Sequence, residues 1–96
     1  MGLYHYYTKT HSLETLLEFN EFRFQKYFMH RWFDGAACIV LISAVFKRNT
    51  IKYGDRGYRY ILMEAGHLGQ NFYLLSSALN LACCGIGGFS DDNLNT

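Results

Sequence analysis

The residues with the greatest chemical potential are concentrated in one stretch, Lys47-Arg48-Asn49-Thr50-Ile51-Lys52-Tyr53-Gly54-Asp55-Arg56-Gly57-Tyr58-Arg59. It holds five of the nine basic residues of the chain and one acid, Asp55. A segment with that balance can hold an anion or favour the charged form of a neighbouring acidic group. Lys52 beside Tyr53 is the pair of interest. A phenol with an ordinary pKa of about 10 becomes a usable proton donor or acceptor when cations crowd it. A plain solvated basic loop has the same composition, so both readings stand at this level.

Two further groupings carry chemistry. Glu64 and His67 are three residues apart in a helical pattern, a spacing at which a carboxylate and an imidazole touch. Such a pair binds metal, relays a proton or fixes helix packing. His67 with Cys83 and Cys84 lacks the ligand spacing of a zinc site, and no metal is expected. The second grouping is Gly85-Ile86-Gly87-Gly88. It is not a dinucleotide fingerprint, because it follows a long helix without a βαβ unit around it. Glycines there let a planar ligand meet the main chain, since no Cβ intervenes.

These groups need elements to position them. Leu3–Thr8 is aromatic and reads as a strand. Ser12 as a cap, with Leu13, Leu16 and Leu17 behind it, predicts a helix. The aromatic segment from Phe19 to Phe33 reads as one or two short helices offering core, partner or ligand contacts. Ala36 to Phe46 is a continuous apolar run, the pattern of a strand buried on both faces. Lys47–Tyr58 is expected to be a loop punctuated by Gly54 and Gly57. From Tyr58 to about Leu81, Ile61, Ala65, Leu68, Phe72, Leu75 and Leu79 form one stripe of a long helix. Gly66 and Gly69 interrupt it at a cost of about 1 kcal/mol each, which suggests close approach of another helix or a flat ligand. Gly85–Phe89 is a short strand or glycine loop, and Ser90-Asp91-Asp92 caps a final helix. The expected class is α+β, a long central helix packed on a small mixed sheet.

Length and composition bound the function. Ninety-six residues make one domain or less. Half the residues are hydrophobic and 18% charged, a globular balance. A net charge of +1 is too small for the counterion term of nucleic-acid binding to dominate. Three cysteines, two of them adjacent, argue against a disulfide scaffold. The apolar run at 35–46 is too short to span a bilayer, and the start is unlike a signal peptide, so a cytoplasmic protein is expected.

Taken in order, Lys52-Tyr53-Gly54-Asp55-Arg56-Gly57-Tyr58-Arg59-Tyr60, Glu64-Ala65-Gly66-His67, Gln70-Asn71 and Gly87-Gly88-Phe89-Ser90-Asp91 resemble the nitroreductase superfamily. The nearest branch is the SagB/ThcOx-type dehydrogenases. That resemblance implies an FMN-dependent oxidoreductase acting on a small molecule or a modified peptide, with azoline-to-azole oxidation as one such reaction. It implies proton transfer by Lys52 and Tyr53, and flavin contact by the main chain at Gly87 and Gly88. It also implies a flavin site completed by a homodimer partner or a companion chain. On that resemblance residues 1–96 are expected to be a partial nitroreductase-like domain lacking the family's Arg/Ser-rich phosphate-gripping segment and its later tail. The alternative is a non-catalytic remnant or interaction subunit.

Overall fold

The computed structural model describes residues 1–23, 26–31 and 34–95. The chain has an α+β architecture in the order β1 (Gly2–Tyr7), β2 (Ser12–Glu18), α1 (Phe46–Tyr53), α2 (Arg56–Ala78) and α3 (Asp91–Asn95). It divides into two compact units, Met1–Gly35 with Gly88–Thr96, and Ala36–Gly87.

The first unit is built on a two-stranded antiparallel sheet. β1 forms where the aromatic stretch Leu3–Thr8 predicts a strand, one residue earlier at each end. β2 corrects the expectation of a helix at Ser12–Leu17: the segment returns along β1, with Leu17 opposite Leu3, Thr15 opposite Tyr4 and Leu13 opposite Tyr6. The physical reason lies in two local features. His11 takes a positive φ of 49°, which turns the chain back on itself. The register then slips between Leu3 and Tyr4, leaving Leu16 as the extra residue of a bulge. That one-residue offset gives Leu13, Leu16 and Leu17 a spacing that imitates a helical stripe.

The aromatic segment is not helical where it is described, beyond a single turn marked by Lys26 N–H donating to Arg23 O at 3.3 Å. Phe22 instead stacks on Tyr27, with ring centroids 5.3 Å apart and planes 7° from parallel. Ring stacking between close neighbours satisfies these side chains without a helical repeat. Phe24, Trp32 and Phe33 lie outside the described residues. Phe28 is buried and bridges to Phe89, while Ser90 N–H donates to Tyr27 O at 2.7 Å. Asn93 Nδ2 donates to Lys26 O at 3.0 Å. These bonds tie the returning segment and α3 into the first unit. α3 begins after Ser90, with Asp91 and Asp92 in its first turn, as its sequence predicts.

The second unit is a helical hairpin. Residues 36–45 form neither helix nor strand, which corrects the expected buried strand at 36–46. A strand buried on both faces needs ladder partners on both edges. Among the described residues only β1 and β2 are strands, and they pair with each other. α1 in turn corrects the expected loop at 47–58. Lys and Arg are good helix formers, and no breaker occurs from Phe46 until Gly54.

Gly54, at φ 59°, ends α1, and its N–H donates to Thr50 O at 2.8 Å. Gly57 does something different. It is buried inside the first turn of α2, where an added Cβ would stand 3.1 Å from Thr50 Cα and 3.2 Å from Asn49 C. The α1–α2 corner therefore closes through backbone-to-backbone approach at Gly57, with Ile61 buried one turn further on.

α2 spans 23 residues and is the helix that the long apolar stripe predicts. It stops at Ala78 rather than Leu81, because Asn80 adopts the left-handed conformation at φ 56°. Leu81 N–H then donates to Ser76 O at 2.8 Å and Asn80 N–H to Ser77 O at 3.1 Å, the paired bonds of a Schellman cap. No helix among the described residues is long and apolar enough to cross a membrane.

Candidate functional site

Lys52 and Tyr53 form the last turn of α1, where a lysine complements the negative end of the helix dipole. Lys52 Nζ lies 5.0 Å from the centroid of the Tyr53 ring, within cation–π range. The other edge of this arrangement comes from α2. Tyr60 meets Tyr53 in a T-shaped contact, centroids 5.2 Å apart and planes at 89°. A parallel contact joins the start of each helix, where Phe46 and Tyr58 stack at 5.7 Å. The corner thus grips Tyr53 between a cation and an aromatic edge while leaving it exposed at 45%. An exposed phenol held in one orientation can exchange a proton with a bound molecule.

Tyr60 sits within the motif run, but nothing in its spacing singled it out. Its role follows from the sharp turn at Gly54-Asp55, which folds the first turn of α2 back beside the last turn of α1. That turn also carries Gly57 N–H donating to Gly54 O at 3.0 Å. Close to the corner, Asn49 Oδ1 is buried without a hydrogen-bond partner.

Glu64 and His67 are both exposed on α2. Among the described residues no ion pair joins them, and no three His, Cys, Asp or Glu side chains converge as a metal set. At Gly66 and Gly69 no described atom other than the adjoining residues and the local backbone of α2 lies within 4 Å of where a Cβ would stand. The close approach expected there is therefore not made by the described residues.

The glycine segment is positioned by a contact that the sequence pattern did not signal. Gly85 N–H donates to the Tyr73 hydroxyl at 2.5 Å, so a side chain of α2 holds the segment by its backbone. Tyr73 lies off the apolar stripe and carried no expectation. Beyond it, Gly87 ends the second unit and Gly88 begins the returning part of the first. At both glycines no described atom beyond the adjoining residues lies within 4 Å of where a Cβ would stand.

A shallow groove in the first unit, lined by Met1, Tyr4, Glu18, Phe19 and Asn20, contains none of these residues.

Residues 6–96 match the family described as the nitroreductase family. The chain belongs to that family. The match takes in the α1–α2 corner, the whole of α2 and the glycine segment. A protein of Methanocaldococcus jannaschii named "Putative nitroreductase MJ1384" is 37% identical over 97 residues, covering 97% of this chain and 48% of its own length. This nitroreductase-family chain thus spans about half the length of the curated relative it matches. No solved structure matches it significantly.

Proposed function

We propose that the chain forms part of an FMN-dependent oxidoreductase, with Lys52 and Tyr53 as its proton-transfer residues. Family membership supports the reaction class. The observation that carries the residue roles is the gripped but exposed Tyr53, with the Lys52 ammonium 5.0 Å from its ring. FMN, when bound, supplies the two-electron chemistry that no amino-acid side chain offers. The chain's own residues do the rest. Tyr53 holds or passes a proton at Oη as the substrate changes oxidation state. Lys52 keeps a positive charge beside it and orients the ring. Gly87 and Gly88 offer main-chain N–H groups toward a flavin edge, a role supported by the open space at both positions. The finer reading within the family is a SagB/ThcOx-type dehydrogenase that oxidises azolines in a modified peptide.

The same proposal includes a partner. Leu62, Leu68 and Leu75 of α2 are exposed, as is Leu79 just beyond its end. Large apolar side chains on a helix of this length are covered in a working assembly. A second copy or a companion chain would cover them and complete the flavin site. A non-catalytic remnant or interaction subunit with the same helix would need that cover too, and it would not bind FMN.

FMN titration separates the two. The expected result is quenched flavin fluorescence and a yellow, co-purifying chromophore absorbing between about 350 and 500 nm. A folded protein that binds no FMN at about tens of micromolar overturns the oxidoreductase reading. Tyr53→Phe is expected to lower turnover about a hundredfold or more while FMN binding persists. Unchanged turnover removes Tyr53 from the mechanism.

A further inference from the structure

Cys83 and Cys84 are adjacent, exposed and unused by the oxidoreductase reading. Their setting is more defined than an arbitrary surface loop. Leu81 is anchored by its N–H to Ser76 O at 2.8 Å, and Gly85 by its N–H to the Tyr73 hydroxyl at 2.5 Å. Both anchors belong to the last turns of α2. Ala82, Cys83 and Cys84 are therefore the free arc of a short loop pinned at either end to one helix, with both thiols presented to solvent.

Adjacency decides what such thiols can do. Consecutive Cα atoms are about 3.8 Å apart across a peptide bond, shorter than the roughly 4.4–6.8 Å that disulfides span. A direct bond between these two sulfurs is thus disfavoured. A single soft atom placed between them lengthens the bridge and relieves that mismatch. A tetrahedral zinc site needs further protein ligands, and no set of three converges among the described residues. A three-coordinate soft centre needs only two sulfurs beside one substituent of its own.

We propose that Cys83 and Cys84 form a bidentate site for a thiophilic centre of the trivalent arsenical class. With phenylarsine oxide the step is a condensation. Two S–As bonds form, two S–H bonds break, and the arsenical oxygen leaves as water with both thiol protons. Nothing is oxidised or reduced. The second S–As bond closes within the same loop, so the effective concentration of the second thiol strengthens the adduct by about 10²–10⁴-fold over a single thiol. Among the described residues the one polar contact of either thiol is long, Cys84 Sγ to Gly85 O at 3.5 Å, so little is lost when the sulfur is taken up.

The third thiol, Cys38, is also exposed and serves as the internal control. Phenylarsine oxide is titrated into the 96-residue chain, with intact mass and remaining free thiols as readouts. The expected product carries one arsenical and leaves one of the three thiols free. It survives excess glutathione and is stripped by a dithiol. Cys83→Ser and Cys84→Ser each lose glutathione resistance, with release faster by about a hundredfold. Cys38→Ser retains it. Alanine versions of the same variants, matched to the parent by circular dichroism, replace any serine variant that misfolds. A glutathione-labile adduct on the parent overturns the proposal. So does a resistant adduct on either single variant at 83 or 84, or its loss in Cys38→Ser.

Discussion

The β1–β2 hairpin and the α1–α2 corner are both two-element hairpins, yet they close by different means. In the first, the main chains pair along six positions while every residue of β2 stays exposed. Side chains contribute across the ribbon at the surface, as in His5 Nδ1 to Glu14 Oε2 at 3.0 Å and Tyr6 Oη to His11 Nδ1 at 2.6 Å. A two-stranded ribbon of this kind is marginal in water by itself. Its unit gains a buried anchor at Phe28. In the second, each helix satisfies its own backbone, and the backbones approach most closely at Gly57, with Ile61 buried beside it. The hairpin is thus held by many weak surface contacts, and the corner by a close backbone fit flanked by ring contacts that orient Tyr53.

The largest test removes the buried anchors. Phe28→Ala and Ile61→Ala are each expected to cost about 2–5 kcal/mol, the range for emptying a buried apolar site. The loss is read by chemical denaturation, together with faster amide exchange at Phe89 and Ser90 for the first and along α1 for the second. Equal insensitivity would show that neither residue anchors its unit.

Gly57→Ala comes next. The added methyl meets backbone atoms at 3.1–3.2 Å. The overpacking cost of about 1–3 kcal/mol then exceeds the helix-propensity gain of up to about 1 kcal/mol. A net loss of about 1 kcal/mol follows, with reduced Tyr53–Tyr60 contact visible in tyrosine fluorescence. Gly66→Ala sharpens the contrast, because no described atom beyond the local helix lies within 4 Å and only the propensity gain remains. It is expected to stabilise the chain by up to about 1 kcal/mol in a thermal melt. The smallest effect belongs to the ribbon. His5→Ala removes an exposed cross-strand pair and is expected to cost about 0.2–1 kcal/mol.

How much of this was legible in the sequence depended on where the deciding contact lay. The long helix was legible because Ile61, Ala65, Leu68 and Phe72 repeat within one continuous window. The expected helix at Ser12–Leu17 failed because the strand Ser12–Glu18 is defined by partners five to sixteen residues away. A bulge then disguised the alternation. The Lys52–Tyr53 pair was visible as a motif, whereas its grip by Tyr60 appeared only after the turn at Gly54 folded one helix against the other. Tyr73 was missed for the same reason: its hydroxyl matters through Gly85, twelve residues on.

By itself, the sequence determined the α+β class, the long helix, the first strand, the terminal turn after Ser90 and the ordered motifs of the nitroreductase family. These features rest on local propensity or on residue identity, and both are written along the chain. Tertiary structure decided that Ser12–Glu18 is a strand and that Gly54 and Gly57 serve different purposes. It did so because backbone pairing and close approach draw their free energy from groups distant in sequence, and no local pattern records which neighbour will arrive.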